Sequence, residues 1–556
     1  EITALSLDMS AAGAATFNSS VTATDIVGTG LSINGGGSNI VATFTSTDTV
    51  SGIKLVDSAG NVELSAIGNV FQVQPAGGVA TFKVSATDLS TPTAGTSNVR
   101  FGVNAGNSIV SGGNYNTVVG FTSATNSLNT AVGYAAGISV TTGTANTFLG
   151  NVAGAAVTTG VKNTFLGGLA GDATTDADEN VAIGYDSLGT NILGGASVAV
   201  GASALRTQNP ASAVTMYNTA VGHFAGYAVT TGTHNTLIGG LAGDAITEAS
   251  SNIAIGHSAL GTNILGSQNV AIGRSALATL NYGSATNGYN VAIGPDAGAA
   301  MTTGLQNTLV GSLAGDALTD ADFNVVMGTS TLSSDRKGNR AVAIGTYALF
   351  SQNFTSPTDN YNVAVGYSAG NLLTTGIQNT LIGGLAGDAL QDADRNVAIG
   401  YEALSADDLG SRTIAGISNT WLGSAAGLGA SGQSNSHNTG IGHNAGLSVT
   451  TGAYNTVLGS LAGHEITTGQ DNVLLGFVAG AHTTNLQTGD RNILIGAYID
   501  TPATDTDDAI GLGYNIAATG GYTTVGINTS DIRAQHGVAT WATVSDERYK
   551  KDIVDS

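Results

Sequence analysis

A nine-residue pattern, N-[TV]-x-[VIL]-G-x-x-A-[GL], occurs 23 times between Asn98 and Asn492, and it leaves few folds open to this chain. Glycine holds the fifth position in all 23 copies, and asparagine holds the first in 21, Ser197 and Ala341 being the exceptions. The commonest spacing is 17 residues, as from Asn146 to Asn163. A longer period of four coils lies above it: closely related segments begin at Asn163, Asn235, Asn307 and Asn379, and the next begins at Asn455 after a slightly longer stretch. A unit this short cannot bury a core alone, so neighbours must stack. The segment N-T-x-φ-G (φ here an apolar residue) favours a strand, and the glycine after it permits a turn of positive φ. Neighbouring apolar residues such as Ala182 and Ile183, or Leu237 and Ile238, point to opposite faces. A single coil has one inner face, so apolar residues on both faces predict a second chain over the outer one. At about 4.8 Å per rung, 23 rungs form a rod on the order of 110 Å long. The repeated asparagine is expected in a turn, bonded to neighbouring backbone. The predicted fold is all-β: an elongated homotrimeric β-solenoid fibre built from glycine-rich repeats.

Composition removes the main competitors. Glycine fills 81 of 556 positions, against a usual share of about 7%. Six prolines are too few for collagen, 42% hydrophobic residues are too many for a disordered acidic chain, and 10% charged residues are too few for long helical bundles. The net charge of -22 repels phosphate backbones, which argues against nucleic acid as a partner. Without cysteine there is no disulfide, thiolate metal site or catalytic thiol. No run of 18 apolar residues exists, so membrane insertion as a helix is not expected. The opening Glu-Ile-Thr-Ala-Leu reads as part of a longer product. No cofactor is implied.

The flanks differ from the repeat. Residues 1–97 read as a small β module, with strands expected at 41–45, 52–56, 62–64, 70–73 and 79–84 and a hairpin turn at 57–61. Residues 98–497 are the repeat shaft. Residues 498–544, rich in Thr, Asp and Gly, read as a β neck with a strand at 522–527.

Residues 545–556 break character. The run Ser545-Asp546-Glu547-Arg548-Tyr549-Lys550-Lys551-Asp552-Ile553 resembles the opening of the intramolecular chaperone domain of endosialidase-type tailspikes and many phage tail fibres. Tyr549 stands where that family often has leucine, and the family's domain extends well past the residues matched here. The resemblance implies a domain that trimerises, drives folding of the β rod before it and cuts itself off. It places the nucleophile on Ser545, its base on Lys550 and the cut between Val544 and Ser545. A desolvated, neutral lysine can activate a serine in this way. Apart from that single turnover, no enzymatic activity is expected.

The repeat itself resembles phage tail-fibre repeats and also the stacked heads of trimeric autotransporter adhesins, whose V-A-I-G strands recur here at Val181, Val270, Val291, Val342 and Val397. Both groups are homotrimers presented outside the cell. The expectation is a structural fibre of a virion, extracellular, joined to tail or baseplate proteins and contacting a host-surface glycan or protein receptor. A bacterial surface adhesin and a polysaccharide-cleaving tailspike are the alternatives. The latter needs two carboxylates about 5–10 Å apart beside a groove, and no unique pair stands out in the sequence.

Three sets of residues could carry chemistry or recognition. Longer coils at 206–217, 278–289, 350–361 and 405–418 hold Tyr217, Tyr282, Tyr289, Phe354 and Tyr361, rings suited to stacking on sugars or to packing the loop. Acidic clusters recur at Asp172, Asp176 and Asp178, at Asp316, Asp320 and Asp322, and at Asp388, Asp392 and Asp394. Their spacing departs from calcium loops, so solvated turns are expected, with no metal. Tyr134, Tyr185, Tyr367, Tyr401, His223, His257 and His443 share the slot after the repeat glycine. Three chains could bring copies of such a His to an axis to bind a metal, but the slot also accepts Arg274, Pro295 and Gly168, so exposed rings are expected.

Overall fold

The computed structural model describes residues 50–57, 60–67, 70–75, 82–85, 99–101, 116–119, 128–405, 418–429, 435–538 and 541–543. The chain divides into two compact units, Glu1–Pro92 and Thr93–Ser556. In the first, strands Val50–Asp57, Gly60–Ile67, Val70–Pro75 and Phe82–Ser85 form an antiparallel meander, each paired with the next. The expected hairpin is present, with Val50 opposite Ile67 and Asp57 opposite Gly60. The last strand is described from Phe82 to Ser85, and residues 79–81 and the strand expected at 41–45 lie outside the described residues.

In the second unit, 23 three-residue strands run from Val99–Phe101 to Ile493–Ile495 and coincide with the 23 repeats. Each pairs in parallel with the strand one coil on, as Thr164–Leu166 does with Val181–Ile183. The pairings climb in sequence order and none joins the first strand to the last, so the sheet is an open ladder along a β-solenoid. Ile510–Tyr514 and Tyr522–Ile527 continue it in parallel, and Ser530–Gln535 and Trp541–Thr543 then turn back antiparallel. The segment expected as a neck therefore begins as further rungs and ends as a meander.

Alternation across each short strand sets the core. The middle residue is fully buried, as Ala182, Leu237 and Trp421 are, while its two neighbours face outward. The glycine that follows is required twice over. At Gly184 φ is +132°, and a Cβ would stand 2.6 Å from the Gly201 carbonyl one rung away. Other corners place non-glycine residues in the left-handed region, for example Asp186 (φ 57°), Leu188 (51°) and Ala196 (53°). Each such residue costs about 1–2 kcal/mol, and the hydrogen bonds of the stack must hold them.

The described asparagines of the repeat form a buried column, interrupted at Ser197 and Ala341. The Asn163 backbone N–H donates to Asn146 Oδ1 (2.8 Å), and Asn163 Nδ2 donates to Ala177 O (2.8 Å) at the end of its own coil. Asn163 Oδ1 in turn accepts from the Asn180 N–H (2.9 Å). The side chain thus closes its own coil and bonds it to both neighbours. Where the column lacks an asparagine, the longer coil supplies a glutamine. Gln208 Nε2 donates to Ser197 Oγ (3.1 Å) and Gln208 Oε1 accepts from Asn218 Nδ2 (2.9 Å). Gln352 Oε1 likewise accepts from Asn362 Nδ2 (2.9 Å) beside Ala341. In the intervening block Asn269 is present, and Leu280 occupies the glutamine's place.

Core volume explains the four-coil period. The strand's middle residue and the residue six positions later fill one rung together. Phe148, Phe165, Leu237, Leu309, Leu381 and Trp421 are matched by glycine at 154, 171, 243, 315, 387 and 427. Ala182, Ala254 and Ala271 are matched by Leu188, Leu260 and Leu277. In the remaining rung both are small, and leucines enter from the rungs on either side. A Cβ at Gly226 would lie 2.7 Å from Leu237 and 2.9 Å from Leu205. The equivalent contacts are 2.8 Å to Leu309 and 2.9 Å to Leu277 at Gly298, and 2.8 Å to Leu381 and 2.9 Å to Leu349 at Gly370.

Gln208→Leu should destabilise the chain by about 1–3 kcal/mol, because buried polar groups lose partners. Adding Ser197→Asn recreates the Asn269–Leu280 pairing and should recover most of that loss. Chemical denaturation of both variants checks the substitution, and a double variant no more stable than the single one would contradict it.

Candidate functional site

The outward third position of the strand ladder is an unbroken apolar stripe. The third strand residue from Phe101 to Ile495 is Phe, Val, Leu, Ile or Met on every rung, and none of those described is buried. Ile293, Met327, Ile382, Leu422 and Ile441 leave between 37% and 42% of their surface exposed. Valine, isoleucine or threonine stands beside each of them at the first strand position.

The aromatic residues of the longer coils separate into two slots. Tyr282 and Phe354 occupy equivalent positions and are buried. The Tyr282 hydroxyl donates to Gly304 O (2.8 Å) and accepts from Asn290 Nδ2 (2.9 Å), and burial pushes its pKa up to about 12. These two rings pack the loop onto the solenoid and present no surface to a ligand. Tyr217, Tyr289 and Tyr361 are more than half exposed, one in each of three successive blocks, and each stands immediately before a column asparagine.

On several neighbouring rungs that slot brings planar side chains together, which the residue pattern alone did not reveal. Every described residue in it takes a left-handed conformation, including Tyr217, His234, Phe323, Arg340, Tyr361, His437 and Tyr454. The corner therefore turns its side chains outward and above one another at the rung spacing. The Arg340 guanidinium lies 4.7 Å from the Phe323 ring centre and 5.9 Å from that of Tyr361. Tyr217 and His234 lie 5.2 Å apart, and His437 stacks on Tyr454 at 4.9 Å. The signal was the identity of the residue before each asparagine.

The acidic clusters bond one coil to the next. Asp176 accepts from the Thr158 and Thr159 hydroxyls (2.8 and 2.6 Å), which hold its carboxyl below the usual range. Asp178, Asp322 and Asp394 accept from the backbone N–H groups of Val161, Leu305 and Ile377. Asp172, Asp244, Asp316 and Asp388 share a partly buried slot, and desolvation pushes their carboxyls up. Among the described residues no group of three His, Cys, Asp or Glu side chains is placed to hold a metal. The slot after the repeat glycine is exposed at Tyr134, Tyr185, His223, His257, Tyr367, Tyr401 and His443.

A carboxylate with no exposed surface sits inside the solenoid. Asp335 is fully buried where the preceding blocks have Asn191 and Asn263. It accepts from Gln352 Nε2 (2.6 Å), Phe354 N (3.0 Å) and Gly338 N (3.1 Å), but burial outweighs these bonds and raises its pKa. A carboxyl raised in the folded state contributes most below its unfolded pKa, and that contribution is lost as pH rises through the folded value. Asp335→Asn should therefore raise the melting temperature at neutral pH and flatten its fall from pH 4 upward. Parallel pH slopes for variant and wild type would contradict this.

Val544, Ser545 and Lys550 lie outside the described residues. Comparison with protein-family models, with curated proteins and with solved structures finds no match to this chain.

Proposed function

We propose that the chain is the shaft and distal part of a bacteriophage tail fibre, a homotrimer that reaches a host surface from the virion. The apolar stripe carries this reading. An apolar surface continuous over 23 rungs is larger than a soluble monomer leaves open to water. Its period is that of the ladder beneath it, so a second and third copy of the same ladder match it rung for rung. Three chains are the number implied by the resemblance of residues 545–553 to the self-cleaving chaperone of such fibres.

In this reading the fibre is extracellular, attached to tail or baseplate proteins, and binds a surface glycan or protein weakly at many points, with three chains multiplying each contact. With Lys550 as base, the Ser545 hydroxyl attacks the Val544 carbonyl, and the amide C–N bond breaks as the Ser545 nitrogen takes the proton. Water hydrolyses the resulting ester to free the chaperone, and the rod is then held by a slow unfolding rate. The V-A-I-G strands favour a second reading, a trimeric bacterial adhesin, which predicts no cleavage at Ser545.

Two measurements test the proposal. The native mass should be three times that of one chain, and Ile382→Lys with Ile399→Lys, two adjacent outward positions, should reduce the trimeric fraction. A monomeric wild type contradicts the trimer. Expressed from its complete reading frame, the wild-type chain should end at Val544 in denatured mass, while Ser545→Ala stays long. If both stay long, the adhesin reading replaces the tail-fibre one.

A further inference from the structure

On the corner that follows the repeat glycine, five successive coils enclose a groove of ≈ 670 Å³. Tyr347, Phe350 and Tyr367 stand along it with Asn371, Asp388 and Glu402. The ring centres of Tyr347 and Phe350 are 5.6 Å apart at 85°, and those of Tyr347 and Tyr367 are 6.3 Å apart at 76°. Tyr367 keeps 59% of its surface and Tyr347 38%, so the rings present area to solvent instead of filling a core.

The internal repeat supplies its own control. One block earlier the slots of Tyr347, Phe350 and Tyr367 hold Ser275, Ala278 and Pro295, and two blocks earlier Ser203, Arg206 and His223. Asn371 replaces Ala299 and Tyr227, and Glu402 replaces Ser330 and Ser258. The strands and left-handed corners beneath are the same in all three blocks. The fold therefore requires none of these side chains. Ser405 donates a hydrogen bond to Asp388, and Asn371 Nδ2 donates to Tyr347 O (3.3 Å), which orients both side chains.

From this arrangement we propose that the groove binds a neutral oligosaccharide. A pyranose has an apolar C–H face that packs on an aromatic ring and a rim of hydroxyls that donate to carboxylates and amide oxygens. Among the described residues no lysine or arginine lines the groove, and Asp388 and Glu402 disfavour sugars that carry a carboxylate. The net charge of -22 adds repulsion of acidic glycans. Five coils span roughly 19 Å, long enough for several linked rings, and the volume falls within the roughly 300–1,000 Å³ of small-ligand sites. The inference rests on the attachment reading only for the source of the glycan, a host surface.

The test presents the full chain to neutral hexasaccharides of gluco, galacto and manno configuration, beside hexagalacturonate and an α2,8-linked sialic acid hexamer. At least one neutral hexasaccharide should be retained and neither acidic one. Tyr347→Ala and Tyr367→Ala should each weaken binding by about tenfold. Tyr185→Ala, which removes an exposed ring from the same kind of corner elsewhere, should leave it unchanged. Native mass and melting temperature equal to wild type show that each variant is folded. Retention of no neutral sugar, preference for the acidic ones, or full binding by both groove variants overturns the proposal.

Adsorption to bacterial envelopes, measured in parallel, separates the two readings. Envelope binding undiminished in variants that bind no less sugar removes the groove and keeps attachment. Sugar binding with no adsorption to any envelope removes attachment and keeps the groove.

Discussion

The hydrogen-bonded column of buried asparagines is the constraint on which the rest of this solenoid depends. A coil this short cannot satisfy its own backbone polar groups, and its corners hold residues in left-handed conformations that cost free energy. One side chain per coil answers both needs. In Asn163, Nδ2 closes the coil at Ala177, while Oδ1 accepts the N–H of Asn180 in the next. Buried networks of this kind tolerate no missing member. Gln208 and Gln352 accordingly appear where Ser197 and Ala341 interrupt the column.

Once the column fixes the rungs, volume fixes their order. In most rungs only one of the middle strand residue and the residue six positions later is large, and where both are small the neighbouring rungs supply leucines. Trp421 is the extreme case: glycine stands at 427, 440 and 446, where a Cβ would collide with the indole. Repeating this rule over four coils generates the longer period, which therefore expresses packing as well as ancestry.

The same regularity divides the surface into parts with different freedoms. The third strand position is apolar on every rung and changes only among similar side chains, as an interface with another regular surface requires. The corners are free to vary. The edge before each asparagine gathers Tyr217, Tyr289, Tyr361 and the stacked Phe323 and Arg340, while the corner after the glycine builds a groove in one block and an Arg206–Asp186 ion pair in another. A scaffold held by its interior can display different side chains at each level without altering the backbone beneath.

Much of this was legible in the sequence because a stacked coil repeats its physics in its residues. Coil length, the glycine of positive φ, the inward Ala182 beside the outward Ile183 and the structural role of asparagine all follow from local periodicity. What periodicity cannot convey is the path of a longer coil or the company a side chain keeps across coils. Tyr282 and Tyr289 belong to one loop, yet the first is buried under it and the second exposed, because the loop folds back over the Asn290 rung. The groove joins Tyr347 to Glu402 across three coils, and the pairing of Gln208 with Ser197 spans an inserted loop. Local rules set which residues face inward on each rung; only stacking decided which outward residues meet, since those neighbours are a full coil apart in the chain and one strand spacing apart in space.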